Sequence, residues 1–398
     1  MFTPAQLERY ADTLLWGITT ARPSFRKGES VLIRFDVSAL PLAEAVHRKT
    51  LERGWNPVLR LQPTPAMEKD FFTLGGSEQR RFVPGGEKEL FESLQGLIAL
   101  RGPASLTHLK SVDAGRIKET TLARKPYRDI FDRSEEKGRF GWTLCTYPTE
   151  ELARQAGLTL KAYAEQVVKA CFLDDKDPAK RWRDIHRDVM GIKKWLQSLK
   201  IRTLRVESRS MDLEVKLGER RRFLGISGHN IPSFEVFTSP DWRGTRGVYY
   251  SDLPSFRNGN YVKGVRIEFK NGSAAKVSAK QGEDFVRKTL ATDPGAGRLG
   301  EFSLTDVRFS RIDRFMADTL FDENFGGRHG NCHVAVGNSY SDTFDGDPAR
   351  LTKALKTRLG YNESALHWDL VNTEDKRVSA VTTGGKRVLV YEKGRFAC

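Results

Sequence analysis

The 398-residue chain suits two domains of ordinary size, and its 39% apolar content is that of a globular protein rather than a disordered one. Its formal net charge is +15, from 66 Lys and Arg against 51 Asp and Glu. No run approaches the ~18 apolar residues of a membrane helix, and the opening MFTPAQLERYADTLLWG has no basic segment followed by an apolar one; a cytoplasmic location without membrane attachment is expected.

Cys145, Cys171, Cys332 and Cys398 lie far apart with no CxxC, which argues against a disulfide framework and against a thiolate zinc site. The positive charge raises the question of a nucleic-acid partner, since clustered Lys and Arg neutralise phosphates. Here the basic residues are dispersed. The densest groups, Arg220-Arg221-Arg222 and Lys193-Lys194, are short, and no RNP, KH or zinc-finger pattern accompanies them. A solvated basic surface is the expectation, and a nucleic-acid partner is not.

In chain order, residues 4–20 place Leu7, Tyr10, Ala11, Leu14, Leu15 and Ile18 at helical spacing. A strand over 31–35, a helix over 41–53 and a strand over 57–61 follow. Further strands are predicted at 97–100 and 142–145, with helical stretches near 85–95 and 113–136. This strand–helix–strand alternation implies an N-terminal α/β domain with a parallel sheet. No GxGxxG or GKS/T follows any of these strands, so nothing points to a nucleotide cofactor.

Residues 177–199 read as a long helix, with Asp177 as N-cap, Pro178 in the first turn, and a stripe of Trp182, Ile185, Val189, Ile192, Leu196 and Leu199. The domain boundary is expected near Lys200, giving domains 1–200 and 201–398. Beyond it the pattern becomes β-rich. Strands are predicted over 203–206, 212–216, 262–269 and 274–277, with a hairpin turn at Asn271-Gly272. A helix over 281–292, another near 348–358 and a last hairpin turning at Gly384-Gly385 complete an α+β C-terminal domain.

The chemistry-bearing stretch is TLFDENFGGRHGNCHVAVGNSY, residues 319–340. In a strand, alternate side chains face opposite ways. His333 and Ala335 therefore share one face of CHVAV, and Cys332, Val334 and Val336 the other. His367 and Asp369 likewise share a face, with Trp368 opposite. Two His and nearby carboxylates make a site for a divalent metal. Upstream, Asn230–Pro240 carries Glu235 between Phe234 and Val236, and Arg298-Leu299-Gly300-Glu301 carries Glu301. Taken together, the N-x-P-x-x-E-V-F-T-x-P, R-x-G-E, F-D-E-N and H-x-D segments, in this order, resemble the aminopeptidase T family of two-metal exopeptidases over roughly residues 225–370.

The resemblance implies a metal-dependent aminopeptidase that removes the N-terminal residue from peptides, acting as a homodimer. It implies two divalent ions per subunit (zinc, cobalt, manganese or magnesium) on Glu235, Glu301, Glu323, His333, His367 and Asp369, with Glu301 bridging. Four carboxylates balance two dications, which limits the cost of burying the charge. Tyr340 matches the family's catalytic Tyr, and Glu235 is a candidate for activating water. Asp322 stands beside Glu323 as an alternative ligand that the family pattern disfavours. Two features depart from compact family members: the GGRHG insert lengthens the spacing from Glu323 to His333, and Phe234 occupies a position where a small residue is common. A different chemistry is also open, because His333, His367 and Asp369 alone satisfy the facial triad of non-haem iron. The dihydroxypyridine ring-cleaving dioxygenases resemble this family. Retention of the three Glu favours the peptidase.

Overall fold

Thr3 begins the first helix, α1 (Pro4–Ala21): its hydroxyl accepts from the Gln6 amide at 3.2 Å while Gln6 Oε1 accepts from Thr3 N at 2.9 Å. The stripe read from the sequence is the buried face, with Tyr10, Ala11, Leu14 and Ile18 fully enclosed. Four parallel strands follow, β1 (Ser30–Phe35), β2 (Asn56–Leu61), β3 (Gly96–Arg101) and β4 (Gly141–Thr146), with helix α2 (Leu40–Glu52) between the first two. They stand in the order β2-β1-β3-β4, and Asn230–Ile231 adds a short parallel strand beside β4. The computed structural model thus carries the expected parallel sheet in its N-terminal part, and it describes residues 1–398.

No helix is expected from the sequence at Pro65–Leu74, Glu150–Gln155 or Leu160–Ala170, although the last buries a stripe of Tyr163, Ala164, Val167 and Val168. The first buries only Phe72, so it has no apolar face to read. The helix α3 (Pro178–Ser198) keeps Trp182, Ile185, Val189, Ile192 and Leu196 buried, as the spacing predicts. By packing, the chain forms two units: Met1–Trp182 with Ser227–Pro232, and Arg183–Ile226 with Ser233–Cys398. They divide within α3, ahead of the boundary expected near Lys200, and Ile201 opens the first strand of the antiparallel sheet.

The second unit holds an eight-stranded antiparallel sheet, from Ser273–Ser278 at one edge, through Ile201–Ser208, to Arg395–Phe396 at the other. Asn271 and Gly272 both have positive φ, 50° and 79°, as a two-residue hairpin turn requires. The strand predicted over 262–269 is two strands, Asn260–Val262 and Val265–Lys270, because Gly264 sits at φ 64° and breaks the ladder. The helix predicted near 348–358 is a 3-10 turn at Pro348–Arg350 and a helix at Lys353–Leu359 that Thr352 caps anew.

A separate four-stranded antiparallel sheet carries the metal-ligand candidates: β5 (Glu235–Thr238), β6 (Leu299–Thr305), β7 (Asn331–Gly337) and β8 (His367–Asn372), in the order β8-β7-β6-β5. The Tyr249 hydroxyl, from the larger sheet, lies 2.9 Å from the Cys332 carbonyl and 2.6 Å from that of Leu370, which holds β7 and β8 against it. All four cysteines are free thiols. No helix is long and apolar enough to cross a membrane.

Candidate metal centre

Register decides which side chains meet. Glu301 stands opposite Ala335, and Ala335 opposite Asp369; Ser303 and Val371 stand opposite His333; Thr305 stands opposite Glu235. Paired residues share a face, and alternation extends that face along each strand. One face therefore carries Glu235, Glu301, His333, His367 and Asp369, with small Ser303, Ala335 and Gly337 between them. The other face is apolar and buried, including Val334, Val336, Phe302, Leu304, Trp368 and Leu370.

Two trios of ligand atoms converge on this face, Glu235–Glu301–His333 and Glu301–His367–Asp369, each within 4.8 Å. Glu301 belongs to both. His333 Nε2 lies 3.2 Å from Glu301 Oε1 and 3.2 Å from Glu235 Oε2. His367 Nε2 lies 3.5 Å from Glu301 Oε2 and 3.5 Å from Asp369 Oδ1. The two oxygens of Glu301 are thus divided between two half-sites.

Both imidazoles are oriented in the same way. His333 Nδ1 donates to the Glu323 carbonyl at 3.1 Å, and His367 Nδ1 donates to the Asn338 carbonyl at 2.9 Å. Each Nε2 is thereby aimed at the carboxylates, as an oriented metal-binding histidine requires. Arg257 holds the second half-site from behind, donating to the His367 carbonyl at 2.9 Å. Ser303 Oγ donates to Glu235 Oε2 at 3.2 Å.

Glu323 belongs to neither trio. It follows a short helix, Thr319–Asp322, capped by the Asp318 side chain. Burial and the nearby charges of Glu235 and Asp369 push its pKa well above the ordinary value, which puts its carboxyl in the same field. Asp322 and Glu323 differ in what they are bonded to. Asp322 accepts from the amides of Met316 at 2.8 Å and Asp318 at 3.1 Å, so its carboxylate is committed to the loop. Asn324 Oδ1 accepts from Phe234 N at 2.5 Å and fixes the approach to β5.

The electrostatics fit a cation. Glu235, Glu301 and Glu323 are each less than a tenth exposed. Burial opposes a charge on His333, yet its hydrogen bonds to Glu235 and Glu301 outweigh it and hold the imidazole pKa well above the usual value. His367 is raised likewise, against burial, by Asp369 and Glu301. Burial pushes Glu235 up as well. Without metal, the cluster retains protons to offset its negative charge. Divalent ions replace those protons, so metal affinity falls as pH is lowered. Glu and His with no thiolate form a donor set for a borderline or hard dication.

Tyr340 follows β7, with its amide on Ser239 Oγ at 2.9 Å and its ring 4.7 Å from that of His367. The residue as a whole is 40% exposed. Burial of its phenol, together with Glu301, Asp369, Glu323 and Glu235, raises the phenol pKa well above the ordinary value and keeps the proton on. Among the other histidines, His229 stacks on Trp142 at 4.3 Å and lies 3.0 Å from Glu135, within the N-terminal unit. His329 lies 3.6 Å from Asp375.

Gly300 was legible only as part of a motif; its reason is packing. A Cβ there would sit 2.3 Å from the Asn338 carbonyl oxygen and 2.5 Å from that of Gly337, at the register shift between Leu299 and Glu301. Gly300→Ala is expected to displace Glu301, cost about 1–3 kcal/mol of stability, and lower metal content and peptidase activity together. Thermal melts and elemental analysis of the variant check this; full activity with wild-type metal content would exclude it.

Residues 3–396 match the family model described as thermophilic metalloprotease (M29). The chain is 30% identical to aminopeptidase T of Thermus thermophilus over 401 residues, covering 94% of this chain and 95% of that one. It is 26% identical to aminopeptidase 2 of Geobacillus stearothermophilus over 423 residues, covering 98% of each. The solved structure of wild-type AmpT from Thermus thermophilus has the same fold, with a TM-score of 0.83, 22% identity and 99% of both chains covered. The chain belongs to the thermophilic metalloprotease family, that of the T aminopeptidases, and is a metal-dependent hydrolase of peptide bonds.

Proposed function

We propose that the chain is a two-metal aminopeptidase that releases the N-terminal residue of peptides. The observation that carries this reading is the division of Glu301 between the trios Glu235–Glu301–His333 and Glu301–His367–Asp369. One divalent ion would be held by each trio, Glu301 would bridge them, and Glu323 would complete the shell. Zinc, cobalt, manganese and magnesium all suit such donors. The ions supply Lewis acidity for the scissile carbonyl and lower the pKa of a water.

The chain's own residues do the rest. Glu235, the most exposed of the three buried residues of the first trio, accepts the proton of the attacking water and returns it to the leaving amine. The Tyr340 phenol donates a hydrogen bond to the oxygen that gains charge as the carbonyl becomes tetrahedral. The carboxylate cluster favours a substrate with a free, basic amino terminus over a blocked one. His333, His367 and Asp369 do not form a trio of their own, and each histidine meets Glu301 instead; this favours the peptidase over a single iron facial triad. A homodimer in the cytoplasm, with no membrane or nucleic-acid partner, belongs to the same reading, and light scattering measures the mass in solution.

Leucyl-p-nitroanilide and its N-acetylated form test the function. The protein is stripped of metal and reloaded separately with each of the four ions. Cleavage of only the free-amine substrate, and only after reloading, is the expected result. Equal cleavage of both forms, or cleavage by the stripped protein, would refute the reading.

A further inference from the structure

The Arg220-Arg221-Arg222 run has no part in the peptidase site. Within the C-terminal unit Arg220 and Arg221 line a cleft of about 780 Å³, a size suited to a small ligand. Seven cationic side chains line it against three carboxylates, an excess of four positive charges. One of those carboxylates is already taken: Asp241 pairs with Lys216 at 3.0 Å and with Arg243 at 2.7 Å. Arg221 is buried and satisfied by the carbonyls of Ser239, Glu219 and Leu359, with its guanidinium 3.5 Å from the Tyr361 ring centre. It contributes positive charge to the wall without being neutralised by a bonded carboxylate.

Lys200, Arg202, Arg220 and Arg358 remain on the rim, exposed and without a carboxylate at ion-pair distance. Glu219 and Asp345 also line the cleft, so the rim carries a net charge of +2, and Arg221 with the second partner of Asp241 brings the excess to four. Such an arrangement is offset best by a ligand carrying several closely spaced negative charges. The floor is apolar, formed by buried Leu196, Ile201, Leu217, Phe223 and Leu359. A single carboxylate would leave most of the cleft's excess of four positive charges uncompensated. A long nucleic-acid strand would need a basic track beyond the cleft.

We propose that this cleft binds a small polyphosphate anion, either free or carried on a nucleoside. The site is independent of the metal centre. Titration calorimetry at physiological ionic strength with tripolyphosphate, ATP and adenosine tests it. The first two are expected to bind saturably and adenosine not. ATP binding more tightly than tripolyphosphate assigns the apolar floor to a base, and equal affinities assign the site to the phosphates alone. The combined variant Lys200→Glu, Arg202→Glu, Arg358→Glu changes exposed residues only and should weaken binding by about tenfold or more. A control, Arg53→Glu, Lys69→Glu, Arg133→Glu, makes the same change in net charge at exposed positions of the N-terminal unit and should bind as wild type. Chelation of catalytic metal is common to both variants and cancels from the comparison. Equal weakening in both variants, or no saturable binding of either phosphate, would overturn the proposal. Tight binding of an RNA oligonucleotide with neither phosphate competing would overturn it too.

Discussion

Glu301→Gln is expected to lower kcat/KM for a free-amine peptide by more than about 1,000-fold and to remove bound metal. Glu301 is the one side chain common to both ligand trios, with one oxygen toward His333 and the other toward His367. Glutamine keeps the shape and removes the charge and one acceptor oxygen. Its amide group would donate to a histidine Nε2 and so occupy a position that a cation needs. The change has a cost in the metal-free protein, because hydrogen bonds from His333 and His367 hold the Glu301 carboxyl below its ordinary pKa against burial, and those pairings are lost. Metal-free Glu301→Gln protein is therefore expected to melt below metal-free wild type at neutral pH, and the gain in melting temperature on adding metal is lost. Elemental analysis, melting curves with and without metal, and steady-state kinetics give the three readings. Two equivalents of metal with activity within tenfold of wild type would show that Glu301 bridges nothing.

Much of this site was legible because strands convert spacing into direction. The alternation in CHVAV puts His333 and Ala335 on one face, and that in HWD puts His367 and Asp369 together; the register of β7 with β8 bears out both placements. What spacing does not carry is which strands are neighbours. That Ala335 lies between Glu301 and Asp369 follows from long-range pairing across residues 299–372, and no local pattern encodes it. Residues that act through backbone atoms were equally hidden. Asn338 orients His367 through its carbonyl and Glu323 orients His333 through its own, so their side chains leave no signal of that work. Asp322 and Glu323 are chemically alike in sequence. They separate only once two backbone amides are seen to occupy Asp322. In the N-terminal unit the first helix was legible from its stripe, whereas Pro65–Leu74, with one buried side chain, was not.

Tyr340→Phe separates chemistry from metal binding, and its effect should fall almost wholly on kcat. The phenol keeps its proton and a neutral phenol is a weak metal ligand, so removing its oxygen should leave metal content and melting temperature unchanged. The ring keeps its packing against Phe237, at 5.8 Å between centres, and against His367, since phenylalanine retains both faces. On the proposed mechanism, what is lost is one hydrogen-bond donor to the developing oxyanion. Loss of such a donor typically costs roughly 10²–10³-fold in kcat, or about 2.7–4 kcal/mol of transition-state stabilisation. The ground-state carbonyl carries much less charge, so KM should move little. A better leaving group should not restore the rate of the variant, because on the proposed mechanism the defect lies in stabilising the tetrahedral oxygen. A rise in KM with kcat intact would make Tyr340 a substrate-binding residue instead. Loss of metal in Tyr340→Phe would place the residue among the groups that hold the site together, and the oxyanion role would fall.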